Sequence, residues 1–183
     1  MSITTAQALD CFASDDLIGI GMEADAIRRR IHPENVITYA LQDDVDQQPT
    51  PAEPIIASLT IGVGESPAQL IDRLEHLRAL QAQGASFTAF TLHIAPGPIE
   101  PTAVEYLRTL AICRLYLDNI PNIETSTAVG LKVLQMALRF GANDVGIIPP
   151  NTRTTEEDIR RIIRDAGFRP HQRDALYRSL YLN

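Results

Sequence analysis

Tryptophan is absent from this 183-residue chain, lysine occurs once, at Lys132, and cysteine occurs only at Cys11 and Cys113. The two cysteines lie in distant segments and neither belongs to a CxxC pair. That excludes a disulfide framework and a zinc ribbon, and predicts two reduced, partly buried thiols. No apolar run reaches the roughly 18 residues that a membrane-spanning helix needs, so no membrane association is expected. The N-terminus, MSITTAQALD, lacks a basic stretch followed by an apolar one. Export is therefore not expected, and the expected compartment is cytoplasmic. Acids outnumber bases by 23 to 16, for a net charge of −7, and the bases are dispersed. A surface of that sign repels phosphate backbones, so nucleic acid is not an expected partner.

Several motifs are also missing. GIGMEA (19–24) and GVGESPA (62–68) are not GxGxxG, and no P-loop is present. Ser126 is not in a GxSxG elbow, which leaves a serine hydrolase without support. His32, His76 and His171 have no metal-ligand spacing with any carboxylate or thiol, so no metal site is predicted.

What is present is ordinary globular material. Hydrophobic residues make up 45% of the chain and charged residues 21%, which argues against disorder and fits one domain with a real core. Residues 15–31 read as an amphipathic helix with Ser14 as its N-cap, and NVITYAL (35–41) reads as a strand. The polar stretch 42–54, with three prolines, reads as an exposed linker. After it come four strand–helix units. The strands are predicted at 57–64, 87–95, 122–127 and 144–149, and the helices at 67–83, 101–118, 128–140 and from the Thr154-Thr155 caps to Gly167. The tail, from Phe168 on, predicts a short strand and a terminal helical turn.

Such alternation implies an α/β fold with parallel strands and right-handed crossovers. An open doubly wound sheet and a partial (β/α) TIM-like barrel of about five to six mostly parallel strands both fit. In either, ligands bind at the carboxyl ends of the strands. Those ends carry Gly62, Gly64, Glu65, His93, Thr125, Ser126, Thr127, Asn143, Asp144 and Gly146. Glu65 is either a carboxylate aimed at a ligand or an acid favoured by a helix dipole. His93 is either a ligand donor or a hydrogen-bonded core histidine. The run GANDVG (141–146) is either an Asx-stabilised turn or a ligand contact.

Five segments together resemble one family. They are ADAIRRRIHPENVITY (24–39), GVGESPAQLIDRLEHLRALQAQGASFTAF (62–90), EYLRTLAICRLYLDNIPNIETS (105–126), GLKVLQMALRFGANDVG (130–146) and IRRIIRDAGFRPHQRDALY (159–177). In wording and order they are similar to the radical S-adenosylmethionine enzymes of the futalosine route to menaquinone, dehypoxanthine futalosine cyclase and aminofutalosine synthase, and to the related FO synthases. The resemblance implies ligand-facing strand ends at Glu65, Thr125, Ser126, Asn143 and Asp144. It implies structural roles for Arg114, Asp118 and Asn119 in RLYLDN and for Arg173, Asp174 and Tyr177 in RD-x-x-Y.

The family holds a [4Fe–4S] cluster on a CxxxCxxC loop after its first strand, and S-adenosylmethionine on the open iron. Here that position is DDVDQQPTPAEP, without cysteine. The sequence also passes from something like the family's first strand directly to something like its fourth. After GANDVG it has IIPPNTRTT in place of the family's Glu-rich loop. Neither the cluster nor S-adenosylmethionine is thus expected as a cofactor, and no catalytic residue is assigned. The expectation is a non-catalytic relative, acting as an interaction or regulatory partner: a homodimer, or docked on a related full-length enzyme. The alternatives are a small-molecule-binding module, or a cofactor-free enzyme using Glu65, His93 and Asp144.

Overall fold

The computed structural model describes residues 2–42, 54–62, 64–98, 100–150 and 153–180. Residues 43–53 of the stretch read as a linker lie outside the described residues. Six parallel strands form one sheet: β1 (Val36–Leu41), β2 (Ile56–Ile61), β3 (Ala89–Ile94), β4 (Asn122–Glu124), β5 (Asp144–Ile148) and β6 (Arg169–Gln172). Their order is β2-β3-β4-β5-β1-β6. Four consecutive strands lie side by side as in a (β/α) barrel, and β1 then takes the place beside β5. The sheet remains open between β2 and β6, so the fold is a partial barrel.

The helices are α1 (Thr5–Ala13), α2 (Leu17–Ile31), α3 (Pro67–Ala82), α4 (Ala103–Tyr116), α5 (Leu131–Ala137) and α6 (Glu156–Asp165), with a 3-10 turn at Thr127–Val129. Local chemistry sets their starts. Ser66 and Gln69 form a capping box, with Pro67 at the first helical position of α3. Thr102 with Glu105 and Thr155 with Asp158 do the same for α4 and α6. Helix α2 departs from expectation: its N-cap is Asp16, whose carboxylate accepts from the Gly19 amide at 2.8 Å. Ser14 instead accepts from the Asp16 amide and closes α1, a helix that its mixed sequence did not predict.

The tail corrects a second expectation. In place of a terminal helical turn, the chain folds back after β6, and Arg173 bridges antiparallel to Ser179. The Asp174 carboxylate accepts from the Leu176 and Arg178 amides and fastens the turn. Local side-chain bonds of this kind compete directly with helix formation.

One face of the sheet is apolar and covered. Ile37, Leu59, Phe90, Leu92, Ile123 and Val145 point into the core together with Leu70, Leu74, Leu110 and Ile163 from the helices. Helix α4 is buried over ten of its fourteen residues, Tyr106, Leu107 and Thr109 to Tyr116. It lies beneath α1 and α2, which pack across it. That third layer explains why α4 shows no clear amphipathic stripe. Arg114, fully buried in α4, donates to the carbonyls of Gly141, Ile120 and Pro121 and to Asn143 Oδ1. Burial, and then the nearby Arg28 charge, lower its pKa, and this ring of acceptors holds it in place.

Candidate functional site

The opposite face of the sheet is polar. Residues paired in register on parallel strands share a face. Ser58 pairs with Thr91, Thr91 with Glu124, Glu124 with Asp144, Asp144 with Thr38, and Thr38 with His171. A single polar row therefore crosses all six strands. At its centre the carboxylates of Glu124 and Asp144 sit side by side, both buried.

Arg173 enters between them from the residue just past β6. Its Nε lies 2.5 Å from Asp144 Oδ2, and its Nη2 lies 2.9 Å from Asp144 Oδ1 and 3.0 Å from Glu124 Oε1. The Tyr177 hydroxyl donates to Glu124 Oε1 at 2.5 Å, and the Arg173 guanidinium stacks 3.8 Å from the Tyr177 ring centre. Thr91 donates to Glu124 Oε2, and Thr38 donates to Asp144 Oδ2 at 2.5 Å. The Gly146 amide donates to Asp144 Oδ1 at 2.6 Å. Gly146 has φ +80° and sits at a bulge between β5 and β1. The bulge leaves Ile147 in register with Ala40, the next residue on the polar face after Thr38, and Ile147 is 41% exposed there.

Two carboxylates share one guanidinium, so the cluster carries an excess negative charge in a dry setting. Burial, and then the neighbouring Asp144 carboxylate, raise the Glu124 pKa against the opposing pull of its hydrogen-bond donors and Arg173. Burial disfavours the Arg173 charge, but Asp144 and Glu124 outweigh it and hold the guanidinium ionised. Burial and Glu124 push the Tyr177 phenol well up, so it stays protonated and donates.

Beside the cluster, the polar face opens into a cavity of about 540 Å³. Its walls include His32, Thr38, Asn122, Asn143, His171 and Tyr177.

The residues singled out from sequence fall in different places. Asp144 is in the cluster. Asn143 is buried and spoken for: its Oδ1 accepts from Arg114 and from the Ile123 amide, and its Nδ2 donates to Asn122. Thr125 is buried against the Tyr106 hydroxyl at 3.2 Å. Ser126 caps the short 3-10 turn, and with the exposed His93 it lines a separate cavity of about 240 Å³. Glu65 pairs with Arg73 and lines a third cavity, behind the sheet. Glu65, His93 and Asp144 are thus not brought together. Asn143 and Asp144 stand at the amino end of β5, not at the carboxyl end expected of them; Arg173 meets Asp144 there, and Tyr177 meets Glu124 beside it. Thr38, Thr91 and Glu124 were not singled out. A glutamate flanked by Ile123 and Thr125 in a predicted strand was the readable signal for the last.

The donor set can be tested against a [4Fe–4S] cluster. Cys11 lies on α1 and Cys113 inside α4, and burial first of all raises both thiol pKa values. Among the described residues no group of three or more His, Cys, Asp or Glu is placed to hold a metal. The residues of this chain do not fit that cluster. No helix among the described residues is long and apolar enough to cross a membrane.

The family profile described as the CofH/MqnC C-terminal region matches residues 94–182. A cyclic dehypoxanthine futalosine synthase from Streptomyces coelicolor is 31% identical over 145 residues, covering 69% of this chain and 36% of that protein. A 5-amino-6-(D-ribitylamino)uracil–L-tyrosine 4-hydroxyphenyl transferase from Methanopyrus kandleri is 36% identical over 149 residues, covering 68% of this chain and 40% of that protein. Among solved structures, the FeFe-hydrogenase maturase HydG from Carboxydothermus hydrogenoformans superposes with a TM-score of 0.56 at 15% identity, over 70% of this chain and 35% of that one. This last likeness concerns the fold alone. The chain spans well under half the length of each of these three proteins. It is a relative of the radical S-adenosylmethionine enzymes of the futalosine route to menaquinone and of FO synthase, matching part of their length.

Proposed function

We propose that this chain is a non-catalytic binding relative of those enzymes, and that the polar face of its sheet takes a small hydroxyl- and nitrogen-rich molecule of nucleoside-like chemistry. The carrying observation is how fully the central acids are engaged. Glu124 accepts from Thr91, Tyr177 and Arg173, and Asp144 accepts from Thr38, Gly146 and twice from Arg173. Acids held by that many donors are fixed in one arrangement, which favours a structural role for them over a reacting one. The adjoining 540 Å³ cavity offers imidazole and hydroxyl groups, which can read ribose hydroxyls and ring nitrogens. The futalosine-route relative supports a place beside a menaquinone-pathway enzyme, as partner or regulator.

Thermal denaturation of the protein with futalosine-type nucleosides and with S-adenosylmethionine tests this. A nucleoside that raises the melting temperature of the wild type, but not of His171→Ala, is the expected result. Cleavage of S-adenosylmethionine by the isolated chain would defeat the non-catalytic reading. Absence of any nucleoside effect would defeat the ligand class.

A second reading, a homodimer, is favoured by the β2 edge. Among the described residues β2 pairs only with β3, and Ile55, just before it, and Ile56, its first residue, are 52% and 43% exposed. Unpaired strand edges with apolar side chains invite pairing with a second copy. Light scattering should give a dimer that Ile56→Lys dissociates, and a monomeric wild type rejects it.

A further inference from the structure

The two most exposed large apolar side chains among the described residues sit one turn apart on one helix. Ile18 is 60% and Met22 66% exposed, both on α2. Apolar side chains scattered singly over a surface need no explanation, but these two belong to a stripe. Asp15, just ahead of the helix, Ile18, Met22, Ala26 and Arg29 recur at intervals of three and four residues, and all five are exposed. That spacing sets them in one line along the helix, opposite Ile20, Ala24 and Arg28, which are buried. The stripe is its own complement: apolar in the middle, with an acid at its amino end and a base at its carboxyl end. Turned end for end about Met22, Asp15 meets Arg29, Ile18 meets Ala26, and Met22 meets itself. A parallel pairing would set Asp15 against Asp15 and Arg29 against Arg29, so charge selects the antiparallel one. Arg29 Nε rests 3.2 Å from Asp25 Oδ2, and its side chain is still 62% exposed. Arg30, at the margin of the stripe, is taken up by Asp118.

We propose that α2 pairs with the α2 of a second copy of this chain, antiparallel and about a two-fold axis at Met22. A contact of this symmetry makes every interaction twice, so one stripe supplies two Asp15–Arg29 pairs and two Ile18–Ala26 contacts. Antiparallel helices also bring the positive amino end of each beside the negative carboxyl end of the other. A single helix pair buries less surface than a stable dimer needs, so the contact is transient and forms at high protein concentration. It uses no residue of β2 and holds or fails separately from a β2-edge dimer.

Cross-linking of the whole chain with a short bismaleimide tests the axis, in a Cys11→Ser background that leaves only the buried Cys113. Met22 is the one position of the stripe that meets itself, so Met22→Cys is expected to give a covalent dimer. Glu157→Cys on α6, where the side chain is 71% exposed and open to random collision, is expected not to. Adding Asp15→Arg or Arg29→Asp to Met22→Cys sets like charges together at both ends of the pair and should cut the yield roughly tenfold. An equal mixture of those two chains restores opposite charges in the mixed pair and should recover the yield. No dimer from Met22→Cys, an equal yield from Glu157→Cys, or a mixture no better than its separate chains each overturns the proposal.

Discussion

Arg173 grips Asp144 with two nitrogens at once, Nε on Oδ2 and Nη2 on Oδ1, and its second nitrogen also reaches Glu124. Removing the guanidinium strands two buried carboxylates. Arg173→Met is therefore expected to cost about 3–5 kcal/mol, the usual cost of breaking a buried pair from one side. Urea unfolding measures it, and a loss under about 1 kcal/mol would mean that the cluster is far wetter than its burial indicates.

Glu124 predicts a pH signature. Its folded pKa lies above the ordinary glutamate value, so the folded state holds a proton that the unfolded chain has already released. That contribution is fully present below the ordinary glutamate pKa and is lost as pH rises through the raised folded value. Glu124→Gln carries no such proton. The wild type should lose stability relative to Glu124→Gln as pH climbs from the ordinary glutamate value upward, and then level off. Denaturant midpoints across that range test the slope, and a difference that runs the other way would show that Arg173 dominates the carboxyl.

Asn143 separates architecture from recognition. Its side-chain amide joins Arg114 of α4 to Asn122 and the Ile123 amide of β4. Asn143→Ala leaves a buried guanidinium nitrogen and a buried amide unpartnered and should cost about 2–4 kcal/mol. Asn143→Ala chain that is still folded at low temperature should keep its near-ultraviolet circular dichroism spectrum.

Two glycines of nearly equal φ make an internal control. Gly84, at +100°, has open space where a Cβ would go, so Gly84→Ala costs only the left-handed backbone penalty of about 1 kcal/mol. Gly141, at +98°, would set its Cβ 2.7 Å from Arg114 Cβ and 3.2 Å from Ala24 Cβ. Gly141→Ala should cost at least about 2 kcal/mol more than Gly84→Ala, because overpacking is added to the same strain. Thermal melts of the two variants side by side give the comparison directly.

The element order was legible because each unit carries its own punctuation. Ser66-Pro67, Thr155 and the glycines at 84 and 167 mark helix ends through chemistry confined to a few neighbours, whereas α5 runs only from Leu131 to Ala137 and stops short of Gly141, where its end was expected. Two local signals went unread. Helix α1 opens on a capping box of its own, Thr4 with Gln7, and the terminal turn is decided by Asp174 bonding the backbone ahead of it. The site was half legible for a different reason. Asp144 stood out because it enters a strand after a glycine. Its partners Thr38, Glu124 and Arg173 come from three other segments, and only the register of four strands makes them neighbours.

Helix α4 carries a consequence of its own. Almost all its side chains are enclosed between the sheet and the α1–α2 layer, so it has no solvent-facing stripe on which substitutions are harmless. In an exhaustive substitution library it should read as one continuous intolerant block from Tyr106 to Tyr116, broken only at half-buried Arg108, whereas α3 and α6 should show the three-to-four-residue rhythm of helices with a wet side.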